Sequence, residues 1–345
     1  MNKNYLWIAV FLLTVSTAFS QPPHYTNPVL KPGKFGVKSL NSLADPFVLK
    51  DDDGTYYMYV TGKGSPAFSS KDLVNWKFER TVIGGTDYKW ATATFWAPEV
   101  LKYKGKYYLH YTGSKGGEPK RIGMAVSDYP LGPFEDISDE PFLKHTEAKG
   151  SIDSHIFVDD NKRVYMYYSN AMSTNKIPKT DKYRSEIWVV ELAQDLSKPI
   201  GKPQMLIYPS QPWENNPKAK SSWNEGAVML KHNNLYYLMY SANCFCAGNY
   251  SVGYATSTSP TGPFTKYEGN PVLSNKEVPS VSGPGHHSVV ASPDGTELYS
   301  VYHSHVSAAG GLRMINIDKL GFKQNGELYI NGPTVVPQPY PSYKK

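Results

Sequence analysis

DPFVLKDDDGTYYMYVTG, residues 45–62, reads as an apolar run, an Asp-Gly turn at Asp53-Gly54 and a Tyr-rich run, the pattern of a β-hairpin. Four more segments repeat it: APEVLKYKGKYYLHYTG from Ala97, DSHIFVDDNKRVYMYYSN from Asp153, EGAVMLKHNNLYYLMYSAN from Glu225 and HHSVVASPDGTELYSVYHS from His286. Their turns are Lys104-Gly105, Asp160-Asn161, Asn233-Asn234 and Asp294-Gly295. A weaker repeat follows each hairpin, AFSSKDLVNW at Ala67, GMAVSDYPLGPF at Gly123, IWVVELAQDL at Ile187, VGYATSTSPTGPF at Val252 and LRMINIDKL at Leu312, and reads as a third strand with a turn toward a fourth. Four short strands recurring at this spacing are the signature of a propeller blade, so the expected fold is all-β, a five-bladed β-propeller.

Composition agrees. The chain has 27 Tyr, 28 Gly and 27 Pro in 345 residues, a mixture suited to short strands and tight turns, and no long helical periodicity follows the N-terminus. Residues 1–20 carry Lys3, an apolar stretch from Leu6 to Val15 and the small residues Ala18 and Ser20, the layout of a cleavable signal peptide. That stretch is shorter than the ~20 apolar residues a bilayer span needs, so a secreted or periplasmic protein with no membrane span is expected. Residues 21–345 are read as a single propeller domain. The stretch from Lys198 to Lys220 reads as an insertion in a connecting loop, and either Gln21–Leu43 or Gly321–Lys345 could complete a blade and close the ring. Net charge is +6 with Lys and Arg interleaved among acids, which argues against a nucleic-acid partner. Cys244 and Cys246 are only two apart, and a disulfide between them would close a cramped ring, so both read as free or packed thiols.

Aligned on their apolar pairs, the repeats put Asp45, Ala97, Asp153, Glu225 and His286 at one equivalent position. The first strand of a propeller blade lines the central channel, so three carboxylates and a histidine should meet at the axis. One acid before a strand is ordinarily a turn or capping residue. Three in the same register are different, because gathered like charges cost stability unless they are used. Glycoside hydrolysis uses such a set: one acid protonates the leaving oxygen and another activates water.

The runs ADPFVLKDDDGTYYMY, WAPEV at Trp96 to Val100, DSHIFVDD, WNEGAVML and GPGHHSVV resemble, in order, the blade motifs of glycoside hydrolase family 43. The resemblance implies a general base at Asp45, an Asp at 153 that orients the acid and sets its pKa, and a general acid at Glu225. It also implies an inverting mechanism on an oligosaccharide or polysaccharide, with α-L-arabinofuranosidase activity expected first. Arabinanase, β-xylosidase and a noncatalytic carbohydrate-binding propeller are the alternatives. Only residues 313–345 follow Leu312, too short for the β-sandwich that the family's β-xylosidases commonly append. Phe47, Trp96, Trp223, His286 and Arg313 are the expected substrate-binding residues, aromatic faces stacking on sugar rings and Arg meeting hydroxyls. In arabinan-cleaving relatives the His equivalent to His286 helps hold a Ca²⁺ and its waters. Since Ca²⁺ prefers oxygen ligands, such a site would be mostly water-filled, and no cofactor is otherwise required.

Overall fold

The repeats fold as five four-stranded antiparallel sheets, each made from consecutive chain. The computed structural model describes residues 23–343 apart from 37, 63, 84–87, 144–149, 171–174, 216–218 and 308–309. The expected signal peptide lies outside the described residues. Blade I comprises Ala44–Lys50, Tyr56–Thr61, Pro66–Ser70 and Lys77–Thr81, and blade II comprises Ala93–Tyr103, Lys106–Ser114, Arg121–Ser127 and Glu135–Asp136. Blade III comprises Ser151–Val158, Val164–Asn170, Glu186–Leu192 and Pro199–Ile207. Blade IV comprises Asn224–His232, Leu235–Ala242, Ser251–Ser257 and Thr265–Lys266, and blade V comprises Gly285–Ala291, Leu298–His305, Arg313–Phe322 and Leu328–Ile330.

Local chemistry explains the hairpins. Lys104-Gly105 and Asn233-Asn234 both take positive φ at both positions, as a two-residue hairpin turn demands. In blades I and V the left-handed residue is Gly54 and Gly295, while in blade III it is Lys162, one residue past the expected Asn161. Packing between blades follows from the strand alternation. Five buried apolar clusters fill the five blade junctions, and Tyr59, Tyr167 and Tyr302 are among their fully buried members. Each buries an aromatic body worth roughly 2–3 kcal/mol while its hydroxyl finds a partner, Tyr59 donating to the Pro130 carbonyl at 2.6 Å and Tyr167 to that of Pro260 at 2.7 Å.

Two expectations need correction. The stretch from Lys198 is not simply an inserted loop: Pro199–Ile207 pairs with Glu186–Leu192 as the outer strand of blade III. Its Gly and Lys content reads as loop because an outer strand is exposed and needs no apolar alternation. Ring closure draws on both terminal segments rather than one. Leu328–Ile330 completes blade V, Leu30 bridges Ile315 on that blade's third strand, and His24–Tyr25 pairs with Gln338–Pro339.

Candidate active site

Every inner strand carries a β-bulge at its start, between Ala44 and Phe47, Trp96 and Glu99, Ile152 and His155, Glu225 and Val228, and Gly285 and Ser288. The second bulge residue takes positive φ: Asp45 (53°), Ala97 (41°), Asp153 (53°), Gly226 (59°) and His286 (46°). A bulge re-aims side chains, so neighbouring residues can both present to one cavity. This corrects the sequence alignment by one position in blade IV. Glu225 is the equivalent of Ala44, Trp96, Ile152 and Gly285, and Gly226 occupies the slot of Asp45 and Asp153. The apolar pairs used for alignment lie past the bulge, where a one-residue slip leaves no trace.

The bulges are clasped from blade to blade. The backbone N–H of Ala97 donates to Thr61 Oγ1 at 2.7 Å, that of Asp153 to Thr112 Oγ1 at 3.1 Å, that of His286 to Ser241 Oγ at 2.8 Å, and that of Asp45 to His303 Nδ1 at 3.1 Å. In blade IV the Gly226 N–H instead donates to the Asp153 carboxylate. Ser169, the residue at the corresponding clasp position, is buried with no hydrogen-bond partner among the described residues.

Asp45, Asp153 and Glu225 meet in a cavity of about 380 Å³ also lined by Thr61, Trp96, Lys120, Ile152, Ser185, Trp223, Cys244, Phe245, His286 and Arg313. This volume lies in the range of small-ligand sites. All three carboxylates are nearly withdrawn from water, Asp153 at 8% and Glu225 at 6% exposure and the Asp45 side chain at 11%. Their proton affinities diverge. Burial alone would raise Asp45, but the fields of His286 and Arg313 and the contact with His303 outweigh it and hold the carboxyl well below the usual range. Arg313 Nη1 donates to Asp45 Oδ1 at 3.3 Å and Thr61 Oγ1 donates to Oδ2 at 2.5 Å. His303 contributes less as a cation: burial pushes its pKa down to about 3, and its Nδ1 is already accepting from the Asp45 N–H. Arg313 is therefore the firm counter-charge.

Glu225 goes the other way. Burial first, and then the Asp45 charge, push it up to about 7 against a hydrogen bond donated by Tyr250 at 2.9 Å. Asp153 is raised too, by burial first and then by Glu225, Asp45 and Glu99. The family resemblance implies that Asp153 sets the pKa of Glu225. Instead burial is the leading cause for both, with repulsion between the two carboxylates second at Asp153.

Trp96, 40% exposed with Lys120 Nζ 4.7 Å from its ring centroid, joins Trp223, His286 and Arg313 on the cavity wall. Phe47 does not. It sits past the bulge, pairs with Tyr59 and packs against the apolar cluster between blades I and II. Cys244 and Cys246 are a disulfide rather than free thiols, because the loop turns sharply enough to bring their Cα atoms to 5.1 Å, inside the ordinary bridging range. Thr61, Tyr250 and His303 escaped the sequence reading. Thr61 and His303 had a signal, a Thr, Ser or His recurring at the end of every second strand, whereas Tyr250 lies in a loop with none. As for Ca²⁺, His286 Nδ1 faces Asp45 Oδ1 at 3.4 Å, and no three His, Cys, Asp or Glu among the described residues are placed to hold a metal. These side chains do not fit a protein-held Ca²⁺, which would need to take nearly all its ligands from water.

The model of the Glycosyl hydrolases family 43 matches residues 25–328. The chain belongs to this family. As a family 43 member it is a hydrolase of glycosidic bonds. It is 31% identical to a β-D-galactofuranosidase of Aspergillus niger over 277 residues, covering 76% of this chain and 72% of that protein. It is 26% identical to an extracellular exo-α-(1→5)-L-arabinofuranosidase of Cellvibrio japonicus, covering 82% and 84% respectively. Among solved structures, a thermostable family-43 glycoside hydrolase superposes with a TM-score of 0.84 at 40% identity, covering 93% of this chain and all of the other. Among the described residues no helix is long and apolar enough to cross a membrane.

Proposed function

We propose that this family 43 hydrolase is an exported, inverting α-L-arabinofuranosidase acting on plant cell-wall polysaccharide or its oligosaccharides, and that the single propeller of residues 21–345, freed of a leader near residue 20, is its catalytic unit. One observation carries the mechanism: two nearly buried carboxyls in one cavity whose proton affinities are driven apart, Asp45 far down and Glu225 up to about 7. An acid and a base are thereby defined before substrate arrives. Asp45 takes a proton from water, and the resulting oxygen nucleophile attacks the anomeric carbon. Glu225 gives its proton to the leaving oxygen as the glycosidic bond breaks. The product sugar has inverted configuration, since no glycosyl-enzyme bond forms. Asp153, tied to the Gly226 N–H beside the acid, positions Glu225 and helps keep its proton. Trp96, Trp223, His286 and Arg313 would meet the sugar.

The furanoside choice leans on relatives whose names specify furanosidases, those of A. niger and C. japonicus, and on the latter being extracellular. The 31% identity to the former makes a β-D-galactofuranoside the second substrate to try. A structure at 33% identity described as an endo-1,4-β-xylanase from Bacteroides thetaiotaomicron keeps β-xylosides in the screen. The test is a panel of nitrophenyl glycosides, arabinan and arabinoxylan with product analysis, followed by proton NMR of the first-formed anomer. Fastest turnover of a pyranoside would overturn the substrate reading, and a retained anomer the mechanism.

A further inference from the structure

The loop of residues 243–250, between the second and third strands of blade IV, is anchored at several points. Cys244 and Cys246 are joined, and Phe245 lies between them. The Phe245 carbonyl accepts a 2.7 Å hydrogen bond from His305 Nε2, whose Nδ1 lies 3.0 Å from Ser282 Oγ. The Ala247 N–H closes a turn on the Cys244 carbonyl at 2.9 Å, and the Gly283 N–H reaches the Gly248 carbonyl at 2.8 Å. Blade V comes so close that a Cβ on Gly310 would lie 2.6 Å from the Cys246 oxygen, and one on Gly283 2.9 Å from that of Ala247.

The Phe245 ring stays 45% exposed at the cavity wall, with the Arg313 guanidinium carbon 4.9 Å from its centroid. Ordering an exposed ring gains little for the free protein, because most of its apolar area is still in water. A sugar laid on it would gain that area and the attraction of its C–H edges for the π face. The cavity has a depth order. Asp45, Asp153 and Glu225 are nearly buried at its floor, whereas Trp96 and Phe245 are the exposed aromatics of its wall. The sugar whose bond is cut must sit at the floor, so a ring at the mouth meets what is attached beyond the scissile oxygen. The same loop ends at Tyr250, which bonds Glu225, so the platform and the acid's partner are one rigid piece.

Building on the hydrolase reading above, we infer that Phe245, clamped by the Cys244–Cys246 disulfide and backed by Arg313, is the platform for the sugar on the leaving-group side. Kinetics on the oligosaccharide that wild type cleaves fastest tests this. F245A should lose about tenfold in kcat/KM, chiefly through KM, as expected for one lost stacking contact, with F245Y restoring it. The C244S/C246S variant should lose part of the same KM advantage, while inhibition by the free monosaccharide product, which occupies the floor, should move less than about twofold in either variant. Wild-type-like KM in F245A overturns the inference, and so does an equal loss in monosaccharide inhibition, which would mark a structural role. A wild type that splits aryl glycosides but no oligosaccharide overturns the inference and spares the hydrolase reading. A wild type inert on both overturns both.

Discussion

Replacing Glu225 by Gln is expected to abolish turnover and, above neutrality, to stabilise the protein. Glu225 is 6% exposed, and its pKa stands near 7 against an ordinary 4.5. Below pH 4.5 both folded and unfolded chains hold the proton, and ionisation makes no difference to stability. Between 4.5 and 7 the unfolded chain releases it while the folded chain keeps it, so stability falls as pH rises. Above 7 the whole penalty is present, about 3 kcal/mol at about 1.4 kcal/mol per tenfold. Gln has no proton to lose, fills the same space and still accepts from the Tyr250 hydroxyl. With an unfolding entropy of roughly 2 cal/mol/K per residue, that energy corresponds to a Tm gain of about 4 °C for a chain this long. Differential scanning calorimetry of both proteins from pH 4 to 8 should show nearly coincident Tm values at the acid end and a gap that opens in favour of the variant. A gap that does not grow between pH 5 and 8 would refute the assignment of a burial-raised acid, whatever the activity.

Asp45→Asn should lower kcat about 10²–10⁴-fold while leaving circular dichroism unchanged, since it removes the base but not the fold. Asp153→Asn should move the basic limb of the kcat/KM profile to lower pH, because a neighbouring carboxylate that repels the charged form of Glu225 is gone; a limb that stays in place while the rate drops would assign Asp153 a purely steric role. Tyr250→Phe should move the same limb to higher pH, as the hydroxyl that favours the charged form is gone. Thr61→Val should raise the acidic limb by removing the 2.5 Å bond to Asp45 Oδ2, read from the same pH–rate data.

The blades were legible because a hairpin is a local object. Apolar run, turn and Tyr-rich run recur within each repeat, and the weaker repeat marked the third strands. What escaped depends on contacts between distant residues. Phe47 and Trp96 are both aromatics flanking a bulge, Phe47 after it and Trp96 before it, and only Trp96 lines the cavity while Phe47 packs at the blade junction. Tyr250 reaches Glu225 only because the loop of blade IV folds back, and the disulfide that shapes this loop looked too cramped on spacing alone.

The register of Glu225 shows why the site needed geometry. Had Glu occupied the left-handed slot, it would have stood where Asp45 and Asp153 stand, with a strained backbone and its N–H directed at Ser169 as in the other clasps. Glycine in that slot relieves the strain and lets the N–H turn to the Asp153 carboxylate. Its missing Cβ also matters, since one there would come within 3.3 Å of His286 Nδ1, the ring that faces Asp45. Gly226 therefore serves three neighbours at once: it frees the preceding position for Glu225, the proposed acid, binds the Asp153 carboxylate, and clears space for His286 beside Asp45, the proposed base. Gly226→Ala joins these effects in one substitution. It should lower kcat by displacing His286 and Asp153 together, and its pH profile should shift at both limbs; a variant with wild-type limbs would show that the slot is structural and that the acid's position owes nothing to the glycine.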